Sequence, residues 1–210
     1  MAWFDFIRSP FGQRVEILDI PLFPLNTVLF PGGCQPLKVF EQRYLDMCAA
    51  CMKDEQPFGI CLIDKGNETG EAATPHPVGT LASIGSWDME QLGILNITAL
   101  GGRRFRIIDS QAGDDKLLRA RVELLPEATS QEVPAERQRL LPLIRKIVDD
   151  LGHARIPEPH RFEDAEWVGY RITEILPIQN LAKQKLLELD DPLARLEILE
   201  RYLDQRKLLG

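Results

Sequence analysis

Cys48-Ala-Ala-Cys51 has the spacing at which two thiolates share a zinc ion or form a redox dithiol, and Cys34 and Cys61 would complete a set of four. The same pair is one helical turn apart, on the apolar side of a helix expected to start near Phe40. Free cysteine there packs as a small hydrophobe. No second Cys-x-x-Cys follows, so core packing is the favoured reading, and no metal and no cofactor is expected. Nucleophilic catalysis needs a base beside the nucleophile and a group to orient that base. His76, His153 and His160 all fall in Pro-, Gly- or Arg-rich loop sequence, and no serine sits in a Gly-x-Ser-x-Gly elbow. Asp114-Asp115 reads as a turn and Asp149-Asp150 as a helix end. The expectation is a non-catalytic chain.

Binding chemistry has better candidates. Arg104, Arg106, Arg119 and Arg121 would share one face of two adjacent strands, where four guanidinium groups could grip phosphate. A net charge of −7 and the lack of interleaved aromatics argue for a solvated face instead, with Asp109 or Glu123 as cross-strand partners. The second candidate is the block Pro21-Leu-Phe-Pro-Leu-Asn-Thr-Val-Leu-Phe-Pro-Gly-Gly33, which runs on to Phe40-Glu-Gln-Arg-Tyr44. Some of its apolar groups, with Phe40 and Tyr44, could edge a shallow groove that accepts an extended apolar segment. Gly32 and Gly33 permit close backbone approach. The candidate binding residues are therefore Phe40, Arg43, Tyr44, Arg104 and Arg106.

The elements that must position these residues follow from pattern. Three prolines fix φ and remove three donors, so the block is neither helix nor the middle of a regular sheet. It is too apolar to be left in water, which makes it the closing strand of an irregular barrel. Leu118, Ala120, Val122 and Leu124 alternate with Arg119, Arg121 and Glu123, the period of a half-buried strand. Phe105 and Ile107 point inward in the same way, with Arg104 and Arg106 outward, and Asp109–Asp115 supplies the turn of an antiparallel hairpin. Leu92 to Leu100 is apolar on both faces, as a doubly covered central strand would be. Gly79 to Trp87 and Phe58 to Ile63 are further strands.

Composition changes between Pro126 and Pro134. Beyond it, Pro134–Leu151 should be helical, divided or kinked at Pro142 and stopped by Gly152. Glu163–Leu176 is a second helix and Leu181–Leu189 a third, capped by Asn180. Asp191-Pro192 starts a fourth, carrying Leu193, Leu196, Leu199 and Leu203. The reading is α+β: an extension over 1–14, a β-barrel domain over 15–126 and a helical bundle over 127–210. At 44% hydrophobic the chain can bury a sizeable core. Asp5 and Arg8 interrupt the apolar start Met1–Arg8, so neither a signal peptide nor a membrane span is expected, and the four cysteines should be thiols in a cytoplasm.

The proline block followed by Phe40-Glu-Gln-Arg-Tyr-Leu-Asp-Met47 resembles the amino-terminal, substrate-recognition domain of the Lon protease family, found also in cereblon and in small stand-alone proteins. Phe58–Ile63, Val78–Ile84, Gly101–Ile107 and Leu189–Leu196 fall in that family's order and approximate spacing, over roughly residues 15 to 206. The resemblance implies a PUA-like, Lon-type barrel that binds unfolded or extended polypeptide without catalysis, as an adaptor or holdase in protein quality control. The Gly-Lys pair of a phosphate-binding ATPase loop is absent from the sequence, and Lys65-Gly-Asn-Glu-Thr-Gly70 reads as a polar turn. A separate protease or ATPase would then be a partner in degradation. The alternatives are an RNA- or small-molecule-binding barrel and a scaffold that makes its contacts through the helices.

Overall fold

Pro21 and Pro24 lie inside a single strand, β2 (Arg14–Leu25), which changes partner between them. Ile17 to Pro21 pair antiparallel with β8 (Leu118–Leu124), and Leu22 to Leu25 pair parallel with β4 (Phe58–Lys65). A strand that leaves one neighbour for another cannot keep a continuous ladder, so missing N–H donors cost least there. That is how proline-rich sequence comes to occupy the middle of a sheet rather than its edge. In the computed structural model, which describes residues 5–8, 14–152 and 155–209, the ring continues from β8 to β7 (Ile94–Ala112), β6 (Val78–Gln91) and β4, and closes on β2. β1 (Asp5–Arg8) extends β2, and β5 (Thr74–Pro75) adds one short pairing to β4. β3 (Cys34–Val39) pairs with Leu95–Leu100 of β7 and with no other described strand.

Both faces of β2 are covered. Ile20 and Leu22 join Cys61, Phe105, Ala120 and Val122 in one cluster. Phe23 and Leu25 join a second cluster with Phe58, Ile60, Leu95 and Ile97, under α1 (Gln42–Asp54). Helix α1 buries Tyr44, Met47, Cys48 and Cys51, one stripe at i, i+3, i+4 and i+7 spacing.

The carboxy-terminal half is helical where the pattern places helices. A 3₁₀ segment over Ala135–Leu140 gives way to α2 (Leu141–Leu151) at Pro142, and Gly152 ends α2 at φ 70°. Helix α3 (Ala165–Ile175) starts at Asp164, whose carboxylate accepts from the amides of Glu166 and Trp167. Helix α5 (Pro192–Gln205) starts at Asp191, which accepts from Leu193 at 2.8 Å. Asn180 does not cap α4 (Asn180–Glu188). It is the first residue of that helix, and its side-chain amide donates to the carbonyl of Asn26 instead. A local preference for capping thus yields to a long-range contact.

The helices hold a cluster of their own around Ile144, Trp167, Ile172 and Leu199. A separate cluster joins them to the barrel, where Tyr170 and Leu187 pack with Val28, Phe30, Leu62 and Val78. Phe30 and Tyr170 meet with ring centres 5.4 Å apart. Covering of the barrel by α4 and the turn into α5 also reverses one sequence expectation. Arg104 points away from Phe105 but not into water: it is 4% exposed and donates to the carbonyl of Leu187 at 2.8 Å and to Asp190 at 2.9 Å. Conversely, Leu92–Leu100 is covered on one face only. Leu95, Ile97 and Ala99 are buried, whereas Leu100 is exposed, and Leu92 lies in the turn between β6 and β7 at 95% exposure.

Candidate functional site

Phe23 and Tyr44 stack with ring centres 4.0 Å apart and planes 19° from parallel. Their edges, with Leu25 and Leu37, floor a groove of about 260 Å³, and Phe40 stands on its rim, 56% exposed. Phe40 is held out of the core by chain geometry. It follows the end of β3 and precedes the first turn of α1, so it belongs to neither buried stripe. Leu37, Ile97 and Trp87 sit opposite one another across β3, β7 and β6. Ile97 is buried, Leu37 partly so, and Trp87 is 62% exposed, because β4 pairs with β6 only as far as Ala82 and leaves the outer part of that hairpin uncovered. A second, wider depression of about 620 Å³ runs there, between Trp87 and Pro36–Lys38. The two grooves share Pro36, Leu37 and Lys38, so they flank the strand whose outer edge carries no described partner. Met89 and Leu92 extend the apolar surface to the hairpin turn.

The candidate residues separate into two groups. Phe40 and Tyr44 line one groove together. Arg43 is buried beside them, with its guanidinium 4.6 Å from the Tyr44 ring centre, paired to Glu41 at 3.0 Å and donating to the carbonyl of Lys116 at 2.9 Å. It ties α1 to the β7–β8 turn. Arg104 is buried under the helices, and only Arg106 of the five is an exposed cation.

The arginine face is interleaved with carboxylates. Arg106 is opposite Glu123, and Arg121 lies between Asp109 on one neighbouring strand and Asp19 on the other. Arg119 binds both oxygens of Asp115 at 2.7 and 3.0 Å, and this pairing holds the Asp115 carboxyl down at about 2. A face whose cations are matched by fixed anions presents little net attraction to phosphate.

The cysteines are buried, and the described histidines sit in packed or surface surroundings rather than in a catalytic or metal cluster. Burial pushes the Cys48 thiol up to about 12 and Cys51 to about 11, the direction opposite to that of a reactive or metal-binding thiol. Cys61 lies in the other cluster, and Cys34 at a cavity wall beside the helices, so the four are not assembled; burial raises both thiols. Among the described residues no three His, Cys, Asp or Glu side chains converge as a metal site. His160 packs on Phe162 and Trp167, His76 lies 3.9 Å from Asp64, and His153 is outside the described residues.

The model of the ATP-dependent protease La (LON) substrate-binding domain matches residues 19–205, across both the sheet and the helices. The chain belongs to this Lon substrate-binding domain family. A crystal structure of a Lon N-terminal domain protein from Xanthomonas campestris is 32% identical, with a TM-score of 0.74, covering 88% of this chain and 98% of that one. The Lon protease of Cytophaga hutchinsonii is 27% identical over 199 residues, 89% of this chain but 24% of that protein. The protein cereblon of Danio rerio is 25% identical over 150 residues, 70% of this chain and 34% of its own length. The chain thus spans about a quarter to a third of these curated relatives. Within the Lon domain, Trp87, Met89 and Leu92 are apolar residues that sequence reading passed over. Sequence holds only an alternation of apolar and polar residues running towards a turn; the point at which the covering strand stops is set by β4 and has no local signal.

Proposed function

We propose that this Lon domain is a non-catalytic recognition module that binds extended, apolar polypeptide along β3. The observation that carries the reading is the coincidence of an unpaired strand edge with apolar grooves on both of its sides. Backbone pairing at such an edge supplies sequence-independent affinity, and flanking pockets select large side chains at alternate positions. Phe40 and Trp87 supply contact area, Tyr44 and Phe23 form the floor, and Arg43 braces the floor from behind. Pro36 withholds one donor along β3, a common feature of edge strands that must avoid indiscriminate pairing. Substrate capture as an adaptor or holdase in the cytoplasm, with a separate ATPase or protease completing degradation, fits a chain whose relatives include Lon proteases about four times its length. No described helix is long and apolar enough to cross a membrane.

Titration of labelled, permanently unfolded polypeptide tests the proposal. Phe40→Ala and Trp87→Ala should each weaken binding about tenfold, as loss of an exposed aromatic anchor does, and binding should survive moderate salt. Arg106→Ala should leave it unchanged. Loss of binding in Arg106→Ala, with none in the two aromatic variants, would move the site to the arginine face and favour a nucleic-acid ligand.

A further inference from the structure

A further cavity, of about 290 Å³, lies between the start of β3 and the helices. Its wall includes Cys34 and Gln35 of β3, Arg155 from the loop after α2, Glu174 at the end of α3 and Lys183 of α4. Arg171 of α3 stands beside it with its guanidinium directed elsewhere, contacting Glu174 twice at 3.0 Å and donating to the carbonyls of Pro31 and Gly32. Three cations therefore surround one carboxylate, in a chain whose net charge is −7.

Two of those cations have donors to spare. Lys183 donates once, at 2.7 Å, to the backbone carbonyl of Glu174. An ammonium has two further donors. The Arg155 guanidinium makes no hydrogen bond or ion pair among the described residues, although the Arg155 carbonyl accepts from the Cys34 thiol at 3.1 Å, which ties its loop to β3. The charge of Arg155 is felt at Cys34, at Glu174 and at Lys183, so these groups form one electrostatic unit. Burial lowers Lys183 from its usual range, with Arg155 lowering it further. Burial also raises Glu174 to about 7 against the pull of all three cations, so the one resident counter-ion is only partly charged at neutral pH.

We propose that this cavity binds a small oxyanion, a phosphate or carboxylate group, between Arg155 and Lys183. A planar guanidinium opposite a point-charge ammonium suits either group: the first fixes orientation through paired N–H donors, and the second adds charge. The site is separate from the β3 grooves and goes beyond the polypeptide reading.

Its pH dependence follows from every charged group that faces it. Guanidinium groups keep their charge throughout this range, and burial keeps the Cys34 thiol neutral. Glu174 loses its negative charge as pH falls through about 7, and the lowered Lys183 shifts towards its charged form in the same direction. Anion binding must therefore tighten from pH 8 to pH 6.

The test is thermal stabilisation and calorimetric titration with sodium sulfate, which keeps its double charge over that range, against sodium chloride at matched ionic strength. Saturable stabilisation by sulfate is expected, stronger at pH 6 than at pH 8. Arg155→Gln and Lys183→Gln should each weaken it about tenfold, the loss of one charge-assisted contact. Arg155 is exposed and its side chain supports nothing else, so that variant keeps the fold even where Lys183→Gln loosens α4. Glu174→Gln should bind sulfate more tightly than the wild type and lose the pH dependence. Succinate run in parallel assigns the preferred chemistry: tighter than sulfate means a carboxylate, weaker means a tetrahedral anion. Equal stabilisation by sulfate and chloride, or an undiminished sulfate effect in Arg155→Gln, would overturn the assignment.

Discussion

Replacing Arg171 by Met should lower the free energy of unfolding by about 3–5 kcal/mol, the usual cost of stripping one partner from a buried ion pair. Arg171 is 1% exposed, and its guanidinium makes four contacts with fixed groups. Two contacts go to Glu174, and two go to the backbone carbonyls of Pro31 and Gly32 in the turn that ends the proline block just before β3. Met matches the volume but leaves both carbonyls and a largely buried carboxylate without their donor. Arg171→Lys should recover only part of the loss, since one ammonium cannot reach the turn and Glu174 together. Chemical denaturation of the three proteins checks this. A cost below about 1 kcal/mol for the Met variant would mean that water replaces the guanidinium and that the turn is held from elsewhere.

The same turn is held from its other side by β7, and there the second large effect is expected. Gly101 donates to the carbonyl of Gly33 at 2.9 Å and accepts from the amide of Gly32 at 2.8 Å, so its backbone cannot move without breaking both bonds. A methyl group at this position would lie 2.2 Å from the carbonyl oxygen of Phe30 and 3.1 Å from its carbon. Gly101→Ala should therefore destabilise by about 3 kcal/mol, at the upper end of overpacking costs. The neighbouring Gly102 is the control. A methyl there comes no nearer than 3.5 Å to any neighbour, so Gly102→Ala should stay within about 1 kcal/mol of the wild type. Thermal unfolding of the pair separates backbone crowding from the general loss of glycine in a strand. Because β3 begins at Cys34, directly after this turn, Gly101→Ala should also weaken polypeptide binding, whereas Gly102→Ala should not.

Much of this architecture is legible in the residues themselves. The alternation of Leu118–Leu124, the stripe of α1 and the Asp191-Pro192 start all depend on neighbours within a few positions, where local chemistry decides. What sequence misplaces depends on contacts from far along the chain. Arg104 shares a strand face with Arg106, but only the packing of α4 across that face, more than 80 residues later, separates a buried structural cation from an exposed one. Asn180 looks like a cap because the pull of Asn26 is invisible locally. The proposed binding surface divides in the same way. Phe40 and Tyr44 could be read from the junction of an extended block with a helix. Trp87 could not, because its exposure depends on where β4 stops pairing with β6. The cluster of Arg155, Glu174 and Lys183 comes from three separate segments and leaves no local signature.

Hydrogen exchange of the protein alone and saturated with an extended apolar peptide tests the central claim most directly. If polypeptide docks by pairing with the free edge of β3, amides within Cys34–Val39, Pro36 excepted, gain protection, along with the outer half of the β6–β7 hairpin around Trp87. The helices α2 to α5 should change little. Protection confined to those helices, or to the Arg106–Arg121 face, with β3 exchanging as in the free protein, would contradict the account and place recognition on another surface.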